Sequence, residues 1–156
     1  MQRGRHLFTE ERVQAILANY FASKGYRVIE GCITKSLWND PTQFPDITKC
    51  RTHDIQGIDV VAQNSMELWV NEAKGETEGG LAACTSSFLQ GIGQIIMRVA
   101  PKSFSNYRSR INYALAIPNT DYFATSARKF INSSALPLLN LKIILVQEDG
   151  NVEFLG

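Results

Sequence analysis

The segment Ile111–Ile117 (INYALAI) constrains the fold more than any other stretch, because its apolar residues fall on both parities. Successive side chains of a strand point to opposite faces, so this pattern calls for cover on both sides. Leu141–Gln147 repeats it as a second buried strand. Strands of this kind belong in a sheet flanked by helices, which sets the class as α/β.

The rest of the chain supplies the flanking elements. Val13, Ile16, Leu17, Tyr20 and Phe21 recur at helical spacing, predicting a helix over Thr9–Ser23 with Thr9 as its N-cap and Gly25 ending it. Tyr26–Ile33 reads as a strand, and Thr34–Asp54 as a long connection punctuated by Pro41 and Pro45. Two strands follow, Gly57–Gln63 (GIDVVAQ) and Glu67–Lys74 (ELWVNEAK), joined at Asn64-Ser65. Gly75–Cys84 reads as a glycine-rich loop. A helix is expected over Ser86–Ala100, stopped by Pro101, with Phe88, Ile92, Ile95 or Ile96, and Val99 on its apolar face. Gly91 and Gly93 within it cost about 1 kcal/mol each relative to alanine, which suggests close packing against the sheet or against substrate backbone. After Ile111–Ile117 come a helix at Asp121–Asn132, the strand Leu141–Gln147, a turn at Asp149-Gly150 and a last strand, Val152–Leu155. The order α-β-β-β-α-β-α-β-β argues for one mixed central sheet flanked by helices, with a C-terminal helix and strands added to an αβββαβ core.

Composition narrows the function. The 156 residues suit one domain, 1–156. Sixteen basic and fifteen acidic residues leave a net charge of +1, so any role with nucleic acid must come from local patterning. The three cysteines, Cys32, Cys50 and Cys84, are far apart, which disfavours a disulfide framework. The start lacks an apolar signal core, and no stretch approaches the roughly 18 apolar residues of a membrane span. A cytoplasmic protein with no membrane partner is expected. No P-loop is present, and Gly91-Ile-Gly93 is too short for a dinucleotide fingerprint, so no nucleotide cofactor is evident. His6 and His53 are far apart with no cysteine beside either, which argues against zinc.

The charge distribution is more telling. Asp54, Asp59, Glu67, Glu72, Glu76 and Glu78 surround a single base, Lys74, whereas 79–120 holds Arg98, Lys102, Arg108 and Arg110 and no acid. An acidic cluster beside a basic stretch is what a metal-dependent enzyme acting on a polyanion needs, although such runs are also ordinary solvated faces. In Glu67–Lys74, the residues Leu68, Val70, Glu72 and Lys74 share one face, so a buried strand ends in a carboxylate and an amine. Asp59 is a similar anomaly within GIDVVA. Charges at such positions are costly unless paired or ligated. Two carboxylates and a backbone carbonyl offer the hard oxygen ligands that Mg²⁺ prefers, with Mn²⁺ as a substitute. A nearby lysine suits phosphodiester hydrolysis by helping to hold the attacking water.

Asp59, twelve residues, then Glu72-Ala73-Lys74, with WVN before it and Gly75 after it, resembles the signature of the PD-(D/E)XK nuclease superfamily. The likeness is nearest to its Mrr-type and Holliday-junction-resolvase-like branch and covers about Thr9 to Ile117. It implies a restriction endonuclease-like fold, Asp59 and Glu72 as metal ligands, the Ala73 carbonyl as a further ligand, and Lys74 as the catalytic lysine. It also implies a helix-one carboxylate completing the site. Glu10 and Glu11 are the candidates, though the expected position is nearer Gln14, and both acids also suit the first turn of a helix. Gln90 and Gln94, four apart on the following helix, are further accessory candidates facing the site or DNA, or else a solvated face. Arg98, Lys102, Arg108 and Arg110 are the candidate phosphate contacts. The expected function is a Mg²⁺-dependent endonuclease acting on DNA, and pairing of two copies is one way to cut both strands. The alternative is a catalytically silent nuclease-fold subunit that binds nucleic acid or serves in assembly.

Overall fold

The computed structural model describes residues 6–30, 59–99, 110–134 and 141–156. The expected 34–54 connection, with His53 and Asp54, lies outside them.

Helix α1 (Glu10–Ser23) begins at Thr9, whose hydroxyl accepts a hydrogen bond from Arg12 N at 3.4 Å. Gly25, at φ +85°, takes the left-handed conformation that ends it. Strands β1 (Arg27–Glu30), β2 (Val60–Gln63) and β3 (Glu67–Ala73) follow, then α2 (Gly80–Val99), β4 (Arg110–Pro118), α3 (Asp121–Ile131), β5 (Leu141–Val146) and β6 (Val152–Leu155). Among the described residues they form one six-stranded mixed sheet in the order β1-β2-β3-β4-β5-β6. The inner pairs β3–β4 and β4–β5 are parallel, and the other three pairs are antiparallel. The expected α-β-β-β-α-β order is therefore the order observed.

The double parity of β4 has the expected consequence. Ala114 and Ala116 turn to α1, in a core with Val13, Leu17, Phe21, Val28, Trp69 and Ile144. Leu115 and Ile117 turn to α2 and α3, against Phe88, Ile95, Phe123 and Ile143. Small side chains thus lie under α1 and large ones under the other two helices. Among the described residues no helix is long and apolar enough to cross a membrane.

One boundary differs from expectation. The helix after β3 starts at Gly80, not Ser86, so the loop read as Gly75–Cys84 is shorter. Gly79 and Gly80 both have positive φ, +117° and +65°, and turn the chain sharply at the helix entrance. Nothing in Leu81-Ala82-Ala83 then opposes a helix. The two helix glycines also part company. A Cβ on Gly91 would meet Leu115 Cδ1 at 2.6 Å and Lys74 Cγ at 3.1 Å, as close packing requires. Among the described residues, one on Gly93 would meet nothing within 4 Å, because that residue is exposed.

The far end of β3 is tied by Glu67. Its carboxylate accepts hydrogen bonds from the Tyr26 hydroxyl, from Trp69 Nε1 at 2.8 Å and from Asn112 Nδ2 at 2.9 Å. The hairpin is closed by Asn64, whose Oδ1 accepts from Met66 N and Glu67 N.

Candidate active site

The candidate residues gather at the carboxyl end of β3. Val60 pairs with Asn71, and one further step along that antiparallel register sets Asp59 opposite Glu72. Asp59, Glu72 and Lys74 are only 6%, 4% and 6% exposed, so their charges must be compensated within the protein. The Ala73 N–H donates to Asp59 Oδ2 at 2.8 Å, fastening that side chain to the end of β3. Lys74 N donates to Ala116 O at 2.9 Å, extending the parallel ladder by one residue. Lys74 Nζ then lies 3.6 Å from Glu72 Oε1 and 3.6 Å from Glu10 Oε2.

Glu10 arrives from the first turn of α1 because the chain is pinned there. A Cβ on Gly75 would fall 2.0 Å from Glu10 N and 2.4 Å from the Thr9 carbonyl carbon, so only glycine lets the strand end approach the helix this closely. Glu76 N donates to Phe8 O at 2.8 Å, and Phe8 N donates to Glu76 Oε2 at 3.0 Å. These contacts hold the entrance of α1 against the residues that follow β3. On the other side, Gly91 allows α2 to ride over Leu115 and the stem of Lys74.

Lys74 serves both Glu10 and Glu72, while Asp59 stands close enough to raise the Glu10 pKa. Burial is the main cause of that upward displacement, with Lys74 opposing it and Asp59 adding to it. Among the described residues, carboxylates gathered beside a buried ammonium are a setting that also suits a bound cation. Among the described residues no three carboxylate, imidazole or thiolate groups form a ready-made metal cluster. A hard cation would therefore draw on Asp59 and Glu72 together with neutral oxygens. Gln14 fits that need, since its Oε1 is buried without a hydrogen-bond partner, one helical turn beyond Glu10. The Ala73 carbonyl, between Glu72 and Lys74 in the chain, is the other neutral oxygen of the kind that Mg²⁺ prefers.

Other candidates fall differently. Glu11 is exposed; one helical step separates it from Glu10, and Glu10 is the residue that meets Lys74. Gln90 lines a 370 Å³ cavity over Lys74, together with Glu10, Glu76, Ser86 and Ser87. Gln94 is half-buried, with its Oε1 lacking a hydrogen-bond partner, and does not line that cavity. Lys102 and Arg108 lie outside the described residues. Arg98 belongs to the last turn of α2, roughly 18 Å along the helix from Ser86. Arg110 pairs with Glu67, at the opposite end of β3 from Glu72. The backbone thus carries Arg98 and Arg110 away from the carboxylates, because α2 runs away from the site and the parallel β4 begins at the far edge. Ser86 and Ser87 were not singled out from the sequence; their spacing of four and three from Gln90 would have grouped them with it.

No family model matches the chain, and a search of curated proteins finds no match. Among solved structures, a fdxN element excision controlling factor protein from Anabaena variabilis is 15% identical, with a TM-score of 0.48 over 90% of this chain and 95% of that one. An XisH family protein from Nostoc punctiforme PCC 73102 is 18% identical, with a TM-score of 0.51 over 92% of this chain and 98% of that one. At that identity the likeness is one of fold, and the chain shares its fold with this XisH family protein.

Proposed function

We propose that this chain is a Mg²⁺-dependent endodeoxyribonuclease of PD-(D/E)XK type. One observation supports this above all: a buried Asp59 and Glu72 stand at the end of a central strand, with Lys74 Nζ 3.6 Å from Glu72. Asp59 and Glu72 would hold the metal, with Gln14 Oε1 and the Ala73 carbonyl as neutral ligands. Bound there, Mg²⁺ would polarise the phosphate and lower the pKa of a water. Lys74 would donate a hydrogen bond to the attacking water, and Glu10 would restrain the ammonium through their contact. The activity is proposed for the cytoplasm, in keeping with the few, widely spaced cysteines of the sequence.

The test incubates the protein with supercoiled plasmid, linear single-stranded DNA and a four-way junction, each with Mg²⁺, Mn²⁺ or EDTA, beside the Glu72→Ala variant. Metal-dependent cutting that the variant lacks is the expected result. DNA binding without cutting in any condition would favour the catalytically silent subunit instead. Loss of both would remove DNA as the substrate.

A further inference from the structure

We infer that Ser86, Ser87 and Gln90 form a subsite for the sugar–phosphate backbone of the strand beside the bond being cut, an inference that rests on the nuclease reading and extends it. The 370 Å³ cavity over Lys74 has two unlike walls. Glu10 and Glu76 line one, while Ser86, Ser87 and Gln90 of α2 line the other. Residues three and four apart share a helix face, so Ser86, Ser87 and Gln90 point to the same side. Gly91 sets this face beside Lys74, whose Cγ lies 3.1 Å from where a Cβ would stand.

Charge decides which wall an anion takes. A phosphodiester is repelled by Glu10 and Glu76 and accepts hydrogen bonds from the α2 side chains, so it settles on α2, within reach of Lys74. Among the described residues that line the cavity none is aromatic, so they offer bases no stacking platform. Neutral donors to phosphate position the strand without reading its sequence. The volume, near the lower end for binding pockets, suits one backbone unit and not a duplex.

The experiment compares wild type with Ser86→Ala/Ser87→Ala on whichever DNA the wild type cuts, in Mg²⁺ at several salt concentrations. Alanine favours a helix more than serine, so an unlowered Tm certifies the fold. The expected result is a KM raised about tenfold, as for loss of one or two hydrogen bonds to an anion, with kcat within about twofold. The salt dependence of KM should be unchanged, because neutral donors release no counterions. An unchanged KM, a fall in kcat alone or an altered salt dependence overturns the subsite. If the wild type cuts nothing, the nuclease reading itself fails, and the subsite with it.

Discussion

Two glycines of α2, two residues apart, should answer the same substitution differently. Gly93→Ala places a methyl on an exposed position where no described residue lies within 4 Å, so it gains only helix propensity, about 1 kcal/mol. Gly91→Ala gains the same propensity, but its Cβ would stand 2.6 Å from Leu115 Cδ1 and 3.1 Å from Lys74 Cγ. Ordinary contact begins near 3.4 Å. Leu115, fully buried between β4 and the helices, would have to retreat by roughly 0.8 Å into a packed core. Overpacking of this kind costs about 1–3 kcal/mol, which leaves Gly91→Ala neutral to about 2 kcal/mol destabilising. The difference between the two variants isolates the overpacking, because propensity cancels. For a chain of this length it corresponds to roughly 2–12 °C in Tm, at about 2–4 °C per kcal/mol. Calorimetry or urea denatured against circular dichroism would measure it. Equal shifts in the two variants would refute the claim that Gly91 sets the approach of α2 to the sheet.

Further outcomes follow from the same geometry. Mg²⁺ at ten times its Kd should stabilise the protein by about 1.4 kcal/mol, or roughly 3–6 °C, and Glu72→Gln should abolish the shift; a Tm indifferent to Mg²⁺ would count against a metal at Asp59 and Glu72. Lys74→Ala leaves buried Glu72 without its ammonium, which should cost about 3–5 kcal/mol at neutral pH in urea denaturation, and less in acid as the carboxylates take up protons. Tyr26→Phe removes a hydroxyl donor to the Glu67 carboxylate and should cost about 1.5–3 kcal/mol by the same measurement. Burial and Glu67 raise the Tyr26 pKa, so the folded state keeps this proton longer than the unfolded chain does. Stability should therefore fall as pH rises above about 10, and Tyr26→Phe should flatten that fall, which denaturation between pH 9 and 11 can follow.

Much of this was legible in one dimension because alternation and periodicity are local. INYALAI had to be covered twice, and the structure covers it with α1 on its alanines and with α2 and α3 on its larger side chains. The strand ending in Glu72 and Lys74 was likewise readable, since a buried strand that closes on charges is anomalous wherever it stands. The start of α2 was not, because glycines mark a loop as readily as a sharp helix entrance, and only the backbone angles of Gly79 and Gly80 distinguish the two. Equivalent spacing likewise hid the difference between Gly91 and Gly93, which depends on what lies across from each.

The amino-acid sequence alone determined the class of fold, the order of its elements and the three charged residues at the end of β3, because these follow from patterns within a few residues. Tertiary structure decided which helix-one acid meets Lys74. It chose Glu10, not Glu11, because Gly75 and Glu76 fix how α1 approaches the strand end, and a step of one residue rotates a side chain about 100° around the helix. It also carried the backbone of Arg98 and Arg110 away from the carboxylates and brought Ser86 and Ser87 beside Lys74. Those are distances between elements far apart in the chain, and they exist only once the sheet and helices have packed.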